Sequence, residues 1–283
     1  MTPELQIKVE RAVRLLQSVA PTDGSPVEVA YSGGKDSDVI LELTKMAGIN
    51  YRAIYKNTTI DPPGTIKHAK EMGAEVIKPK KTFFELVAQK GYPSRFVRFC
   101  CSELKEYPIL NKQVIGVRKE ESSSRAVRYN EPTQCRVYGK CTNEGCGRCV
   151  EVIYPLLDWT NENVAEFIGE RGIKCHPLYY DEQGNFHVER RLGCMCCPLV
   201  YKKKRIAEFA KYPGMVKAYI RAGQKYRDTH PDTKFTTSFD NIYDAFVCFL
   251  FYDSKHQWEQ SRHGLFEPVD SKAFLEETFG ITF

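Results

Sequence analysis

Apolar positions along the chain follow two different periods. Leu5, Val9, Ala12, Val13, Leu16 and Val19 recur at helical spacing, so residues 3–19 read as an opening amphipathic helix. Residues 27–31 (VEVAY), 51–55 (YRAIY), 74–78 (AEVIK) and 113–117 (QVIGV) are short runs of strand character. Helical patterns lie between and after them, at 38–47, 63–72, 82–90 and 102–110. This alternation predicts an α/β, doubly wound, mainly parallel sheet with helices on both faces. Ligands bind such sheets beyond the carboxyl ends of the strands. The turns after 27–31, 51–55 and 113–117 are therefore expected to face one crevice.

Past residue 118 the texture changes. A polar, cysteine-rich stretch (119–150) precedes YPLLDWTNENVAEFIGERG, in which Thr160 reads as the N-cap of a helix over 161–171. Residues 202–228 and 240–252 have helical patterns, with Pro213 and Pro231 as interruptions. The expected division is an α/β core over 1–118, a Cys-rich insert with the remainder of the core over 119–200, and a helical C-terminal region over 201–283.

Composition changes this picture at one point. Hydrophobic residues at 42%, charged residues at 27% and a net charge of +5 are ordinary for a globular chain. They permit a polyanionic partner without requiring one. The first residues mix acids and bases through their apolar pattern, unlike a signal or transit peptide. The most apolar window, Ile242 to Tyr252, is half of the roughly 20 residues a membrane span needs. No membrane association and a cytoplasmic location are the expectation. Eleven cysteines are then unusual, because reducing compartments disfavour structural disulfides. Their clustering in short-spaced sets points to metal or redox use.

The strongest chemical signal is EVAYSGGKDSDVILEL, residues 28–43. A strand runs into Ser32, Gly33, Gly34, Lys35, Asp36 and Ser37 and then into a helix. The two glycines permit positive φ and close backbone approach. Successive N–H groups at the helix start form an anion nest. Ser32 and Ser37 add hydroxyls, and Lys35 adds a point charge. Neither a Walker loop nor a dinucleotide fingerprint is present. Asp36 would repel a phosphate, so it is expected to bind Mg²⁺ or to cap the helix.

SGGKDS resembles the pyrophosphate-binding loop of the adenine-nucleotide α-hydrolase, or PP-loop ATP-pyrophosphatase, superfamily. NTTIDPPGTIKHAKEMG (57–73), FCCSELKEYPIL (99–110), IGVRKEESSSRA (115–126) and RLGCMCCP (191–198) resemble, in order, segments of phosphoadenosine phosphosulfate (PAPS) reductases. The first match is loose, with Asn57 where the family has Asp and Thr59 where it has Gly. The resemblance covers residues 27–200. It implies a Rossmann-like, adenine nucleotide alpha hydrolase-like fold. It also implies an adenine nucleotide contacted by the 32–37 loop, Asn57, Thr58, Gly116, Arg118 and Ser122. Arg118 and Arg125, flanking Glu121 and Ser122, suit a polyanion clamp, since guanidinium forks grip phosphate or sulfate bidentately.

Two cysteine sets complete the candidate chemistry. Cys100, Cys101, Cys194 and Cys197 stand where iron–sulfur sulfonucleotide reductases place four cluster ligands, which implies a [4Fe–4S] cluster. Cys196 is an extra member that can replace a neighbour. Cys135, Cys141, Cys146 and Cys149 fall within fifteen residues among small turn formers, a pattern that predicts a zinc knuckle or a second cluster.

Family and reaction come apart at the last step. Sulfonucleotide reductases use a cysteine near the C-terminus, and this sequence ends EETFGITF. Cys248, in AFVCFLF, reads as a core residue, while Cys175 and Cys196 are conceivable substitutes. SGGKDS is also the form typical of ATP-cleaving members. The leading expectation is an enzyme that cleaves ATP to AMP and pyrophosphate, with Lys35, Asp36, Arg118 and Arg125 as catalytic groups. It would activate an acceptor for transfer of sulfur from a donor or reductant protein. Thiolating relatives imply tRNA or DNA as the acceptor. Basic runs at Lys78, Lys80 and Lys81, at Arg190 and Arg191, and from Lys202 to Arg205 add modest support. One alternative is PAPS or adenosine phosphosulfate reduction releasing sulfite. Another is a non-catalytic nucleic-acid or partner-binding protein on the same fold.

Overall fold

The computed structural model describes residues 1–94, 96–139, 147–252, 254–262 and 270–283. In chain order the first elements are α1 (Pro3–Val19), β1 (Val27–Tyr31), α2 (Lys35–Ala47), β2 (Tyr51–Lys56), α3 (Thr65–Glu71) and β3 (Glu75–Ile77). There follow α4 (Phe83–Lys90), α5 (Phe99–Leu104), β4 (Lys112–Val114), α6 (Ser123–Arg128), β5 (Thr133–Tyr138), β6 (Arg148–Ile153) and α7 (Asn161–Arg171). The last are α8 (Lys202–Lys211), α9 (Pro213–Thr229), α10 (Lys234–Thr237), α11 (Ile242–Phe251), α12 (Lys255–Arg262) and α13 (Ser271–Phe279).

The chain forms two compact units. The first comprises residues 1–57, 61–78 and 105–193, and the second residues 58–60, 79–104 and 194–283.

The first unit is an α/β, Rossmann-like fold. Its sheet has the order β3-β2-β1-β4-β6-β5, parallel throughout except for β5, which runs antiparallel to β6. The parallel strands are buried on both faces, which is why VEVAY carries Val27 and Val29 on one side and Glu28 on the other. Glu28 is fully buried and satisfied. Its carboxylate accepts from Lys56 Nζ (2.8 Å), Gln113 Nε2 (2.7 Å) and the Ile109 and Leu110 N–H groups. One acid thus ties β1, β2, β4 and the chain entering β4 together. Strand order reverses between β1 and β4, so the crevice lies at their carboxyl ends.

Thr160 caps α7 as the sequence predicts, and two other helix starts carry the same device. Thr2, Thr82 and Thr160 cap α1, α4 and α7 with their hydroxyls, the last two as capping boxes. One expectation is corrected. The helix expected over 102–110 runs from Phe99 to Leu104, because Pro108 lies within that range and cannot supply a helical N–H. The pattern over 202–228 is two helices, with Pro213 at the start of α9.

The second unit is helical. α4 packs on α9, and α8, α11 and α13 pack together around Phe209, Tyr219, Phe246 and Leu275. Cys248 belongs to this core, as its apolar surroundings predict; burial pushes its thiol up to about 11. Among the described residues, no helix is long and apolar enough to cross a membrane.

Candidate nucleotide site and cysteine cluster

The 32–37 loop connects β1 to α2 at the crevice. Gly33 takes φ +77°, and a Cβ built there would stand 2.8 Å from Thr65 Cγ2. Both the dihedral and the space require glycine. Gly34 differs from expectation: its φ is −88° and it serves as the N-cap of α2. Ser32 donates to Ser37 Oγ (3.2 Å), and Ser37 donates to the Gly34 carbonyl (2.6 Å). Gly116, after β4, passes so close that an added Cβ would lie 2.9 Å from the Asp36 carbonyl oxygen. Loop and β4 terminus therefore meet backbone to backbone.

A buried polar network supports the loop from beneath. Asp38, fully buried on α2, accepts from the Tyr31 hydroxyl and pairs with His68 Nε2 at 3.1 Å. Burial drives the Asp38 carboxyl upward, while His68 and Tyr31 oppose that shift. Cys175 also hydrogen-bonds Asp38, and burial pushes its thiol well above the ordinary value. It is a protonated hydrogen-bond donor in this unit. His176 stands edge-on to His68, with Nε2 3.4 Å from Thr65 Oγ1. α3 thus braces the loop through both Thr65 and His68.

Asp36 has both carboxylate oxygens occupied. Oδ1 accepts from Arg118 Nε at 2.7 Å and Oδ2 from Lys35 Nζ at 3.2 Å. Arg118 is only 2% exposed, and it also donates to Glu120 (2.7 Å), Asn161 Oδ1 (2.8 Å) and the Trp159 carbonyl (3.3 Å). A guanidinium so fully engaged positions Asp36. The expectation of Arg118 as a phosphate clamp is corrected accordingly. Without a bound cation, Arg118 and Lys35 supply the positive charge on the two Asp36 oxygens.

Above the loop lies a cavity of about 750 Å³ lined by Ser32, Gly34, Lys35, Asp36, Ser37 and Gly116 on one side. Small-ligand sites span about 300–1,000 Å³. Arg125 and Arg191 reach the same cavity. Arg125 pairs with Glu121, yet burial and the neighbouring Arg191 guanidinium hold it below its ordinary range. Ser122 caps α6 by accepting from the Arg125 N–H. Asn57 donates its N–H to the Ile77 carbonyl (3.0 Å) and is absent from the lining. Thr58 belongs to the second unit, beside Cys194.

Three cavity residues are not assigned to the nucleotide by the sequence, where Arg191 reads only as part of a basic run. Tyr179 accepts the Lys35 and Leu192 N–H groups (3.2 and 3.3 Å), and burial pushes its phenol up to about 12. Lys56 enters through its bond to Glu28, and Arg191 through the loop that follows Tyr179. All three depend on contacts far apart in the chain.

In the second unit, Cys100 and Cys101 open α5, while Cys194 and Cys197 flank Cys196. Cys196 is fully buried with φ +53°. Its N–H donates to Glu208 (2.9 Å) and its carbonyl accepts from the Tyr219 hydroxyl (3.1 Å). This left-handed turn makes Cys196 a structural residue. Cys100, Cys101 and Cys197 interact electrostatically with one another, and Cys100, Cys194, Cys196 and Cys197 all act on the Tyr219 phenol. Among the described residues no group is arranged as a metal polyhedron. The donor set, four thiols in one unit bordered by apolar core, has the chemistry of an iron–sulfur ligand set.

Cys135 and Cys149 are joined across β5 and β6 as a disulfide, with Cα atoms 6.1 Å apart. In this form their sulfurs are bonded to each other rather than to a metal. Cys141 and Cys146, the other two of that set, lie outside the described residues.

The model of the phosphoadenosine phosphosulfate reductase domain matches residues 26–200. The chain belongs to this family. Its curated relatives include a 37.8 kDa protein of Escherichia phage 186, 33% identical over 49% of this chain and 42% of its own length. A protein of Methanocaldococcus jannaschii is 26% identical over 72% of this chain and 43% of its own length. Sulfate adenylyltransferase subunit 2 of Shewanella frigidimarina is 26% identical over 62% of this chain and 66% of its own length. The chain thus spans under half the length of the phage and archaeal relatives. Among solved structures, a Methanococcus maripaludis U34-tRNA thiolase with its [4Fe–4S] cluster aligns at TM-score 0.40 and 16% identity. That alignment covers 81% of this chain and 82% of the thiolase.

Proposed function

We propose that the first unit of this PAPS-reductase-family chain binds ATP and cleaves it between the α and β phosphates. An acceptor oxygen becomes adenylylated, and a sulfur species then displaces AMP. The observation that carries the reading is the loop itself. Ser32, Gly34, Lys35 and Ser37 line a cavity large enough for a nucleotide, and Arg125 and Arg191 line it too. The pyrophosphoryl group lies against the α2 N-terminus, where the helix dipole and hydroxyls favour negative charge. Lys35 neutralises charge on the leaving pyrophosphate. Arg125 and Arg191 stabilise the charge that builds on the α-phosphate during attack. Arg118 acts through Asp36, fixing the carboxylate that orients Lys35.

Cys100, Cys101, Cys194 and Cys197 are the residues that would hold a [4Fe–4S] cluster, which supplies a site for sulfur when bound. Reduced Cys135 and Cys149, with Cys141 and Cys146, are the donors for Zn²⁺. Acceptors of the tRNA or DNA class and a protein sulfur donor complete the reading, and a cytoplasmic location suits the reduced thiols it needs.

Sulfonucleotide reduction requires a thiolate able to reach sulfate. Cys175, Cys196 and Cys248 are buried thiols pushed upward by desolvation, which favours ATP cleavage over that reading. Pyrophosphate release from ATP tests the proposal. Lys35→Ala is expected to lower it by about a hundredfold or more, the scale of losing one preorganised charge. Sulfite release from PAPS with no ATP turnover would replace the proposal with the reductase reading.

A further inference from the structure

In the second unit the Cys194–Pro198 segment is held by groups from distant parts of the chain. The Cys194 thiol donates to Thr58 Oγ1 (3.5 Å) and the Met195 N–H to the Ile60 carbonyl (2.8 Å). The Pro198 carbonyl accepts from Arg205 Nη1 at 3.3 Å. Cys196, between the two candidate ligands, is held at both of its amide groups. Its N–H donates to Glu208 Oε2 on α8 (2.9 Å), and its carbonyl accepts from the Tyr219 hydroxyl on α9 (3.1 Å). Cys196 needs that grip. Its φ of +53° is a conformation that a residue with a Cβ seldom adopts, and it persists where the surroundings impose it. The backbone that carries Cys194 and Cys197 is therefore shaped by α8, α9 and the 58–60 segment.

Tyr219 is an unusual place for a hydroxyl. The residue is fully buried, and its ring meets Phe83, Phe84, Phe209, Phe246 and Phe249. Phenylalanine would fill the same space with the same aromatic contacts. What it lacks is the donor to Cys196, so packing does not account for the tyrosine. Tyr92 is the contrasting case. Its ring also meets Tyr219, but its hydroxyl donates to the Tyr219 carbonyl (3.2 Å), away from the turn. Glu208 differs in kind, because its charge also acts on the Cys196 and Cys197 thiols.

We infer that Tyr219 and Glu208 are positioning residues for the iron–sulfur ligand set. Each acts through Cys196, and together they fix the left-handed turn between Cys194 and Cys197. The inference rests on the reading of Cys100, Cys101, Cys194 and Cys197 as cluster ligands. Partners one step behind the ligands control metal retention, and the hydrogen bonds and charge around the sulfurs set the reduction potential. The two residues move that potential in opposite directions. Loss of the Tyr219 hydroxyl bares the negative end of the Cys196 carbonyl dipole and lowers it. Loss of the Glu208 charge, with the acceptor kept in Glu208→Gln, raises it.

The test uses the full chain loaded with ferrous iron and sulfide in the absence of oxygen. Wild type, Tyr219→Phe, Glu208→Gln and, as a control from the same core, Tyr92→Phe are compared. Iron release to a chelator and the midpoint potential, from a titration followed by electron paramagnetic resonance, are measured for each. Tyr219→Phe is expected to release iron about tenfold faster or more, the scale of losing such a partner, and to shift to a lower potential. Glu208→Gln is expected to shift to a higher potential, and Tyr92→Phe to keep wild-type release and potential. A packing role alone would lower the melting temperatures of Tyr219→Phe and Tyr92→Phe alike and leave both potentials unmoved. Wild-type release and potential in Tyr219→Phe, or equal changes in Tyr219→Phe and Tyr92→Phe, overturn the assignment of Tyr219. An unshifted or lowered potential in Glu208→Gln overturns that of Glu208, and decides alone if Tyr219→Phe does not fold. A wild-type chain that takes up no iron and sulfide sinks the cluster reading and the inference with it. A cluster that loads while both variants behave as wild type sinks the inference alone.

Discussion

The Tyr179 hydroxyl accepts the backbone N–H of Lys35 at 3.2 Å, so one donor of the α2 N-terminus points at a side chain rather than into the cavity. Tyr179→Phe would leave that buried N–H and the Leu192 N–H without an acceptor, at a cost of about 1–3 kcal/mol for a lost buried partner. A phosphate oxygen can take the Lys35 N–H in its place. The variant should therefore melt lower than wild type without nucleotide and regain much of the difference with saturating ATP analogue. An equal deficit with and without analogue in differential scanning fluorimetry would show that phosphate does not reach this donor.

The left-handed turn at Gly33 makes a sharper test of the loop. Gly33→Ala imposes an unfavourable φ and drives a methyl toward Thr65 Cγ2. The expected destabilisation is about 1–3 kcal/mol, with loss of nucleotide binding. Thr65→Ser removes Cγ2 and keeps the hydroxyl bond to the Pro62 carbonyl. Added to Gly33→Ala, it should recover part of the stability. The recoverable part is the steric one, and a double-mutant cycle by urea denaturation measures it.

Arg118 joins four acceptors from a nearly inaccessible position, and lysine has no planar fork to do the same. Arg118→Met leaves Asp36 and Glu120 without their main cation and is expected to cost about 3–5 kcal/mol. Arg118→Lys should cost less but lower pyrophosphate release through a misplaced Asp36. Wild-type turnover in Arg118→Lys would remove its positioning role.

A pH dependence follows from His176. Burial, and secondarily His68, hold it below its ordinary value of 6.5. Unfolding lets it take up a proton that the folded unit does not bind. Its contribution is thus complete above about 6.5 and is lost as pH falls toward the depressed folded value. His176→Asn keeps an acceptor for the Leu178 N–H, now supplied by Nδ1, but cannot titrate. Denaturation at pH 8 and pH 5 should show a smaller stability difference in this variant than in wild type.

Metal content separates the two cysteine sets. Protein purified without oxygen is expected to carry about four irons and four sulfides per chain. Cys100→Ser or Cys197→Ser should lower both, while Cys196→Ser should keep them and lose stability. Zinc that disappears in Cys135→Ser and Cys149→Ser variants, with iron retained, would assign the hairpin set to zinc.

Much of the first unit was legible because its signals are local. β1 matches its apolar run, and the cap of α7 is a single side chain at the helix start. Loop, strand and helix around Ser32–Ser37 share one short segment. β5 and β6 were not legible. TQCRVY is an edge strand whose alternate residues turn to a polar cavity, so the usual apolar alternation is missing. RCVEVI was masked by the cysteine spacing around it. In sequence Asp36 reads as a Mg²⁺ ligand or helix cap and Arg118 as an independent phosphate clamp, and only their 2.7 Å contact shows that one holds the other.

The second unit is assembled from residues 58–60, 79–104 and 194–283, and α4 closes against α9. On a ribosome adding about 5–20 residues per second, α4 and the Cys100–Cys101 pair emerge many seconds before the helices that cover them. The nascent chain must carry two adjacent thiols and an uncovered apolar helix face through that interval. Chaperones, oxidants and metal carriers then have a window of access that closes once α9 has docked.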